Sequence, residues 1–204
     1  MTESTRTLTP KGRHTRDRIV NAAANLMVHK GVASVSLDDV GRATATSKSQ
    51  MYHYFSSKDD LVGAVVEAVG ADILSFQGEL LRNVQTIDDL ETWANAIVDV
   101  QRGGALFEGC PLGTLANDLA GENNNSVQPI FDDAFARWRE LLEVALDTLV
   151  ANGVLRRETD THHLAVATLS TLQGGLLMAK ATQDEAALRI PLDAALAYVR
   201  SFRV

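Results

Sequence analysis

Residues 36–61, SLDDVGRATATSKSQMYHYFSSKDDL, contain three helix starts close together. Each start pairs a serine with an acidic or amide residue three positions later, the spacing of a capping box. The pairs are Ser36 with Asp39, Ser47 with Gln50, and Ser57 with Asp60. Starts ten or eleven residues apart leave room for two short helices joined by a tight turn, and then a third helix. The segment therefore predicts a helix-turn-helix, whose second helix enters the major groove of DNA.

The composition predicts a globular, cytoplasmic protein. The chain has 204 residues, 46 % apolar and 22 % charged, so it can form one large domain or two small ones. We find no run near the ~20 apolar residues of a membrane span and no signal-peptide pattern before the first helix. Cys110 is the single cysteine, which excludes an intramolecular disulfide and fits a reducing compartment. The polar residues 1–12 are expected to form a disordered arm.

Charge is unevenly distributed along the chain. Residues 1–60 contain nine Lys and Arg residues against six acidic ones, a net charge of +3. Because the whole chain has a formal net charge of −7, the remainder has −10. A basic end on an acidic body orients a protein towards a polyanion, since the local field matters more than the total charge. Chance asymmetry of surface charge is the alternative.

The rest of the chain is predicted to be helical, because alternating strand patterns are almost absent. Residues 32–37 are the one strand-like run and are better explained as a linker. Gly31 is expected to end the first helix, and Pro191 to lie in the first turn of the last one. The predicted helices span residues 15–30, 37–43, 48–54, 58 to the low eighties, 87–101, 112–119, 127–151 and 161–181, with a last helix ending near 202. Thr86 with Asp89 makes a fourth capping box, which begins the helix at residue 87.

The second short helix, residues 48–54, is expected to present a polar face. Met51 and Phe55 lie four residues apart and should pack inward. On the opposite face, the Gln50 amide can pair with adenine and Lys48 can donate to guanine, while hydroxyl groups and helix N-termini suit phosphate. The residues expected to contact DNA are Ser36, Thr46, Ser47, Lys48, Ser49, Gln50, Tyr52, His53, Tyr54 and Lys58. A merely solvated polar face is the alternative.

These residues also resemble the helix-turn-helix signature of TetR-type transcriptional regulators. The matching elements are Val40-Gly41, Thr46-Ser47-Lys48, residues 51–55 and residues 57–61. The resemblance implies an all-α fold with a helix-turn-helix DNA-binding domain at residues 13–62. It also implies that residues 63–204 form a larger helical domain that binds an effector and dimerises.

Two departures from that signature affect the turn and the second helix. Ala45 and Ser49 stand where the family has glycine. An alanine there must either avoid a left-handed conformation or tolerate strain, and a serine adds a polar group toward the groove. Further along, residues 110–113 (CPLG) and 172–177 (LQGGLL) are similar to the LmrA/YxaF-like branch. Known members of that branch respond to drug-like or plant-derived aromatic compounds.

The implied effector cavity should have aromatic walls and few polar groups, as a small apolar ligand requires. The residues expected to line it are Trp93, Ile97, Phe107, Cys110, Leu112, Phe131, Phe135, Trp138, Gln173 and Met178, with ordinary core packing as the alternative at each. The residues expected at a dimer interface are Leu169, Leu172, Leu176, Leu196 and Val199. Gly174 and Gly175 suggest close helix approach, at the dimer seam or over a cavity, and relief of crowding in a monomeric core is the alternative.

No catalytic site, metal site or cofactor is expected. Cys110 has no histidine in a companion motif, and the adjacent His162 and His163 point about 100° apart on a helix, which prevents a shared metal ion. The sequence and the resemblance together predict a homodimeric repressor that a small apolar or aromatic effector releases from a palindromic DNA operator. A DNA-binding protein without a ligand and a helical enzyme or carrier with a vestigial motif are the alternatives.

Overall fold

The computed structural model describes residues 8–104, 108–119 and 126–204, and within these ranges the protein is helical. The helices are α1 (Pro10–Lys30), α2 (Leu37–Ala43), α3 (Lys48–Tyr54), α4 (Lys58–Leu81), α5 (Ile87–Gly103), α6 (Pro111–Leu119), α7 (Gln128–Ala151), α8 (Thr161–Thr182) and α9 (Ala186–Arg200). No strand occurs in the same ranges, where an isolated β-bridge joins Leu155 and Arg203. The all-α class is thus confirmed, and residues 32–36 form a linker as predicted.

Capping boxes begin α2, α3 and α5 as predicted. The cap residues are Ser36, Ser47 and Thr86. The box predicted at α4 forms only in half. Ser57 accepts from the Asp60 amide at 3.1 Å, but the Asp60 carboxylate accepts from the amide and hydroxyl of Ser56, at 2.9 and 3.2 Å. The predicted reciprocal bond to Ser57 is therefore wrong, because two donors of the preceding serine lie closer to this carboxylate.

Helix α1 begins earlier than predicted. Thr9 is its N-cap, accepting from the Gly12 amide at 3.2 Å, and Pro10 occupies a first-turn position where no amide donor is needed. Residues 10–12 therefore belong to α1, and their assignment to a disordered arm is wrong. Residues 1–7 of that predicted arm lie outside the described residues. Gly31 ends the helix as predicted, with a φ of 84° that favours glycine.

Pro191 lies inside the last helix rather than at its start. Helix α9 begins at Ala186, so the carbonyl of Ala187, one turn before the proline, lacks its helical N–H donor. Helix α8 comes close at this point, since a β-carbon added to Gly175 would lie 3.4 Å from that carbonyl oxygen and 3.2 Å from Leu188. The predicted position of Pro191 was wrong because an interior proline tolerated by tertiary packing resembles a helix start in sequence.

The chain divides into two compact units. The first comprises the described residues up to Val69 together with Leu115–Ile130, and the second comprises Gly70–Thr114 and Phe131–Val204. The boundary expected at residues 62 and 63 falls inside the continuous helix α4.

In the first unit, the helix-turn-helix is built on a small apolar core. The buried residues of α1, α2 and the α3 region include Ile19, Ala23, Met27, Val40, Met51 and Phe55. Met51 and Phe55 are thus buried, as their spacing predicted. The amide of Val32 donates to Asp118 at 3.0 Å, which links the α1–α2 linker to the end of α6.

In the second unit, α8 packs along α9, and α5 also contacts α9. Trp93 of α5 and Trp138 of α7 are 0 and 1 % exposed, so the core of this unit contains both tryptophans of the chain. Helices α4 and α8 are long and apolar enough to cross a membrane by length and composition. About half of the most apolar stretch of each is buried, as in the core helices of soluble proteins, so their composition does not indicate a membrane protein.

Candidate DNA interface and ligand cavity

Helix α3 presents a polar surface and buries its apolar side. Met51 and Phe55 are 1 % exposed, whereas Tyr52 is 51 % exposed. Tyr54 is half-buried, and its ring packs edge-on against that of His53, with the two ring centroids 5.1 Å apart. The predicted DNA contacts that lie exposed on the first unit are Ser36, Ser47, Lys48, Ser49, Gln50, Tyr52 and His53.

Thr46 is buried in the turn rather than exposed beside them. Its side chain is 7 % exposed, and its hydroxyl accepts from the hydroxyl of Thr44 at 2.9 Å. Its amide donates to the carbonyl of Gly41 at 2.8 Å. These bonds stabilise the turn between α2 and α3, and the structure does not bring Thr46 to the polar surface of α3.

The turn adopts a left-handed conformation at Ala45, where φ is 49°. Of the two outcomes left open by the sequence, the protein therefore tolerates the strain. A β-carbon in this conformation contacts the backbone and costs free energy. The carbonyl of Thr44, directly before this residue, accepts from the guanidinium group of Arg18 in α1. Arg18 thus fixes the backbone at the strained position.

Gln50 is only partly free to recognise a base. Its side-chain oxygen accepts from both the amide and the hydroxyl of Ser47, each at 3.2 Å, and so completes the capping box. Pairing with adenine through both ends of the amide would require this box to open. With the box closed, Gln50 presents its amide nitrogen as a donor.

The three helix N-termini near this surface differ in charge. The first turns of α2 and α4 contain acidic pairs, Asp38 with Asp39 and Asp59 with Asp60, whereas α3 has no acidic side chain there. Hydrogen bonds from the hydroxyl and amide of Ser36 lower the pKa of Asp39 to about 2, so this carboxylate stays charged at neutral pH. Repulsion of phosphate is therefore least at the start of α3.

Lys58 is half-buried at the start of α4. Its ammonium group donates to the carbonyl of Ala33 in the α1–α2 linker at 3.2 Å. An ammonium group has three N–H donors, so this bond positions Lys58 and leaves further donors.

The second unit contains a cavity of about 110 Å³. Three of the predicted effector contacts line it, namely Ile97, Cys110 and Trp138. The other side chains at its wall include Ile73, Phe76, Gln77, Val100, Gln101 and Leu176. Phe76 and Val100 are 43 and 55 % exposed, so the cavity reaches solvent on their side.

Gln77 was not among the predicted effector contacts, although it lines this cavity. Its side-chain oxygen accepts from the indole nitrogen of Trp93 at 3.1 Å and from that of Trp138 at 2.8 Å. One glutamine thereby joins α4, α5 and α7. A lone glutamine inside an apolar helix gives no periodic signal, so only the two tryptophans could be selected from the sequence.

Cys110 is a buried thiol at the cavity wall. Burial raises its pKa, which outweighs the hydrogen bonds that its sulfur accepts from the Gly113 amide and from Gln173, at 3.4 and 3.6 Å. The thiol is therefore uncharged at neutral pH and a poor nucleophile. Gln173 donates to the sulfur of Cys110 but does not itself line the cavity.

The other predicted effector contacts that fall within the described residues do not line the cavity. Leu112 and Phe131 are buried in the core, and Phe135 stacks on Trp138 with ring centroids 6.4 Å apart. Met178 is 52 % exposed on α8. Phe107 lies outside the described residues.

The residues predicted at a dimer interface face the inside of their own chain. Leu169, Leu172, Leu176, Leu196 and Val199 are at most 8 % exposed, since α8 and α9 pack on each other through them. They are therefore core residues, and their assignment to a dimer seam is wrong. Large apolar side chains are also exposed on these two helices, and we refer to them together as the exposed apolar surface of α8 and α9. Its exposed residues are Val166, Leu177, Met178, Ile190 and Tyr198.

The two adjacent glycines of α8, Gly174 and Gly175, lie on different sides of the helix. Gly175 is buried against α9, whereas Gly174 is exposed with no neighbouring atom within 4 Å of an added β-carbon. Relief of crowding within the chain therefore explains Gly175 alone.

Comparison with known proteins supports the family resemblance along most of the chain. Residues 19–65 match the family described as bacterial regulatory proteins, tetR family, and residues 86–193 match the LmrA/YxaF-like transcriptional regulator C-terminal domain. An uncharacterised HTH-type transcriptional regulator of Lactococcus lactis is 27 % identical over 177 residues, covering 84 % of this chain and 86 % of its own. Another, from Mycobacterium tuberculosis, is 25 % identical over 178 residues, covering 83 % and 86 %.

Solved structures show the same fold. A TetR transcriptional regulator from Chloroflexus aurantiacus superposes with a TM-score of 0.81 at 23 % identity, covering 94 % of this chain and 96 % of its own. The complex of SmeT with triclosan gives a TM-score of 0.72 at 20 % identity and covers 91 % of each chain. Because a regulator family model matches more than half of the chain, and the helix-turn-helix matches a second one, this protein belongs to the TetR family of DNA-binding transcriptional regulators and is not an enzyme.

Proposed function

We propose that this regulator is a cytoplasmic, homodimeric repressor that a small, largely apolar effector releases from a palindromic DNA operator. The observation that most supports the DNA-binding part is the surface of α3, which exposes Lys48, Ser49 and Gln50 over a buried apolar side. Lysine, serine and glutamine can each donate to base edges in the major groove.

The DNA contacts divide into two kinds. Lys48, Ser49 and Gln50 face the groove and contribute sequence preference. Ser36, Ser47, Tyr52, His53 and Lys58 contact phosphates and fix the register of α3 on the duplex. Tyr54 supports His53 through the ring contact between them.

A second copy of the chain covers the exposed apolar surface of α8 and α9. Two arguments favour this occupant. A helix-turn-helix protein needs two recognition helices to contact half-sites about one DNA turn apart. Large exposed apolar surfaces are unusual on monomers, and Gly174 leaves open space on this one for a close-packed partner helix.

The effector binds in the cavity of the second unit. The structural neighbour SmeT has been solved in complex with triclosan, an aromatic compound. Binding can release DNA only if the effector favours the conformation with the lower DNA affinity. The cavity of about 110 Å³ limits the enclosed part of the effector to about one ring, since a cavity near 150 Å³ holds benzene.

The DNA-binding part is tested by selecting genomic fragments with the purified protein and then measuring their affinity at several salt concentrations. We expect retained fragments to share a palindrome. Lys48→Ala should weaken binding, and if Lys48 also neutralises a phosphate the salt slope should decrease by about one unit. Lys30→Ala, at the exposed end of α1, is the matched control and should change little. Equal effects of the two substitutions would contradict the role of α3.

A further inference from the structure

The Gln77 side chain has an orientation that its two tryptophan partners determine. An indole N–H can donate a hydrogen bond but cannot accept one. Because Trp93 and Trp138 both donate to the same atom of Gln77, that atom must be the carbonyl oxygen of the amide. The amide nitrogen is therefore held on the other side of the group.

The amide nitrogen of Gln77 has no hydrogen-bond partner within the described part of the chain. Gln77 is only 6 % exposed and lines the cavity. The nitrogen atom itself is accessible from the cavity, since it is not among the fully enclosed side-chain atoms that lack a partner in the described residues, which are Arg139 Nε, Thr159 Oγ1 and Arg189 Nε. Its two N–H donors are thus available to a ligand in a mostly apolar cavity, where a few polar groups fix the orientation of what binds.

The other polar side chains at the cavity wall are already bonded. Gln101 donates to the carbonyl of Gly109 at 3.3 Å and accepts from its amide at 3.2 Å, so both ends of this side chain are used. The sulfur of Cys110 accepts two hydrogen bonds. No charged side chain lies among the described residues that line the cavity.

We propose that the effector is a small, uncharged compound with one ring, whose carbonyl or similar acceptor oxygen accepts from the Gln77 amide nitrogen. This inference rests on the proposed effector function and adds the specificity-determining residue. The ring lies against the apolar wall near Phe76 and Val100, where the cavity reaches solvent and a longer substituent can extend. An anionic ligand is disfavoured, because no cation among the described residues that line the cavity offsets the loss of its hydration.

Three probes of similar size test the proposal by calorimetry on the intact protein without DNA. Acetophenone has an acceptor oxygen, α-methylstyrene replaces that oxygen by a methylene group, and benzoate adds a negative charge. We expect acetophenone to bind roughly tenfold more tightly than α-methylstyrene, the usual scale of one added hydrogen bond. Benzoate should give no measurable binding. Equal affinities for acetophenone and α-methylstyrene, or no binding of either, would overturn the proposal.

Gln77→Met removes the amide donors with little change in side-chain length, and it should reduce the tenfold preference to about one. Gln173→Met is the matched control, since it removes an amide that does not line the cavity, and it should retain the preference. If Gln77→Met does not fold, the same question is tested on the wild type, by following the side-chain ¹⁵N–H resonances of Gln77 as each probe is added. These signals should shift with acetophenone and not with α-methylstyrene; no selective shift would overturn the proposal.

The possible outcomes distinguish a failure of the proposed ligand site from a failure of the proposed repressor function. If acetophenone binds with the expected dependence on Gln77 but does not change the affinity for DNA, the ligand site is supported. The proposal that this class of ligand releases DNA is then wrong. If neither neutral probe binds but another compound releases DNA, the proposed ligand site is wrong and the proposed repressor function is supported.

Discussion

At the scale of single residues, Ala45 has the most direct energetic consequence. Its left-handed backbone is one that glycine adopts without steric cost. We therefore expect Ala45→Gly to stabilise the first unit by about 0.5–1 kcal/mol, after the greater flexibility of glycine in the unfolded chain is included. Denaturant unfolding measures the change.

Ala43→Gly is the matched control for this substitution. Ala43 is an exposed residue at the end of α2, where glycine should destabilise by up to about 1 kcal/mol. If both substitutions destabilise the protein, Ala45 is not strained.

Gln50 completes a helix cap and has a proposed DNA contact, and a single substitution separates the two roles. Glutamate completes a capping box as well as glutamine does, but it lacks the amide donor and repels phosphate. Gln50→Glu should therefore leave the thermal midpoint nearly unchanged while DNA affinity decreases and the preferred base changes. Selection from randomised DNA sites measures the affinity and the base preference of the variant. An unchanged base preference would show that Gln50 does not recognise a base.

At the scale of elements, the two indole bonds to Gln77 hold α4, α5 and α7 together. Gln77→Leu would leave both buried indole N–H groups unpaired, each at a cost of about 1–3 kcal/mol. We expect the free energy of unfolding to fall by about 2–5 kcal/mol. Urea titration followed by tryptophan fluorescence reports on this site directly, since the chain has only these two tryptophans. A loss below about 0.5 kcal/mol would show that the bonds contribute little to stability.

Helix starts could be predicted from sequence where their cause is local. A serine or threonine and the residue three positions later determine a capping box, so the starts of α2, α3 and α5 are as predicted. Tertiary packing, in contrast, determines which side of a helix is buried. Helices α8 and α9 have two apolar sides, and sequence alone did not show which side the chain buries against itself. Leu172 was therefore assigned to a partner, although it is buried within the chain and Leu177 is the exposed residue of the two.

At the scale of the whole molecule, the proposed homodimer depends on the exposed apolar surface of α8 and α9. A charge at Leu177, which is 53 % exposed, should prevent a second copy from packing there without disturbing the fold of the chain. We expect Leu177→Asp to be monomeric in sedimentation equilibrium and to lose affinity for a palindromic site. Val144→Asp, at a 56 % exposed position on α7, should remain dimeric. Dissociation of the Val144 variant alone would move the interface to α7.

The most direct test of the central claim, that α3 recognises a specific DNA sequence, is the ratio of affinities for a selected genomic fragment and for an unrelated fragment of equal length at physiological salt. We predict that the wild type prefers the selected fragment by at least about 10³-fold. We also predict that Lys48→Ala and Gln50→Glu lower this ratio, while Lys30→Ala does not. A ratio near one for the wild type, at low as well as physiological salt, would contradict the claim.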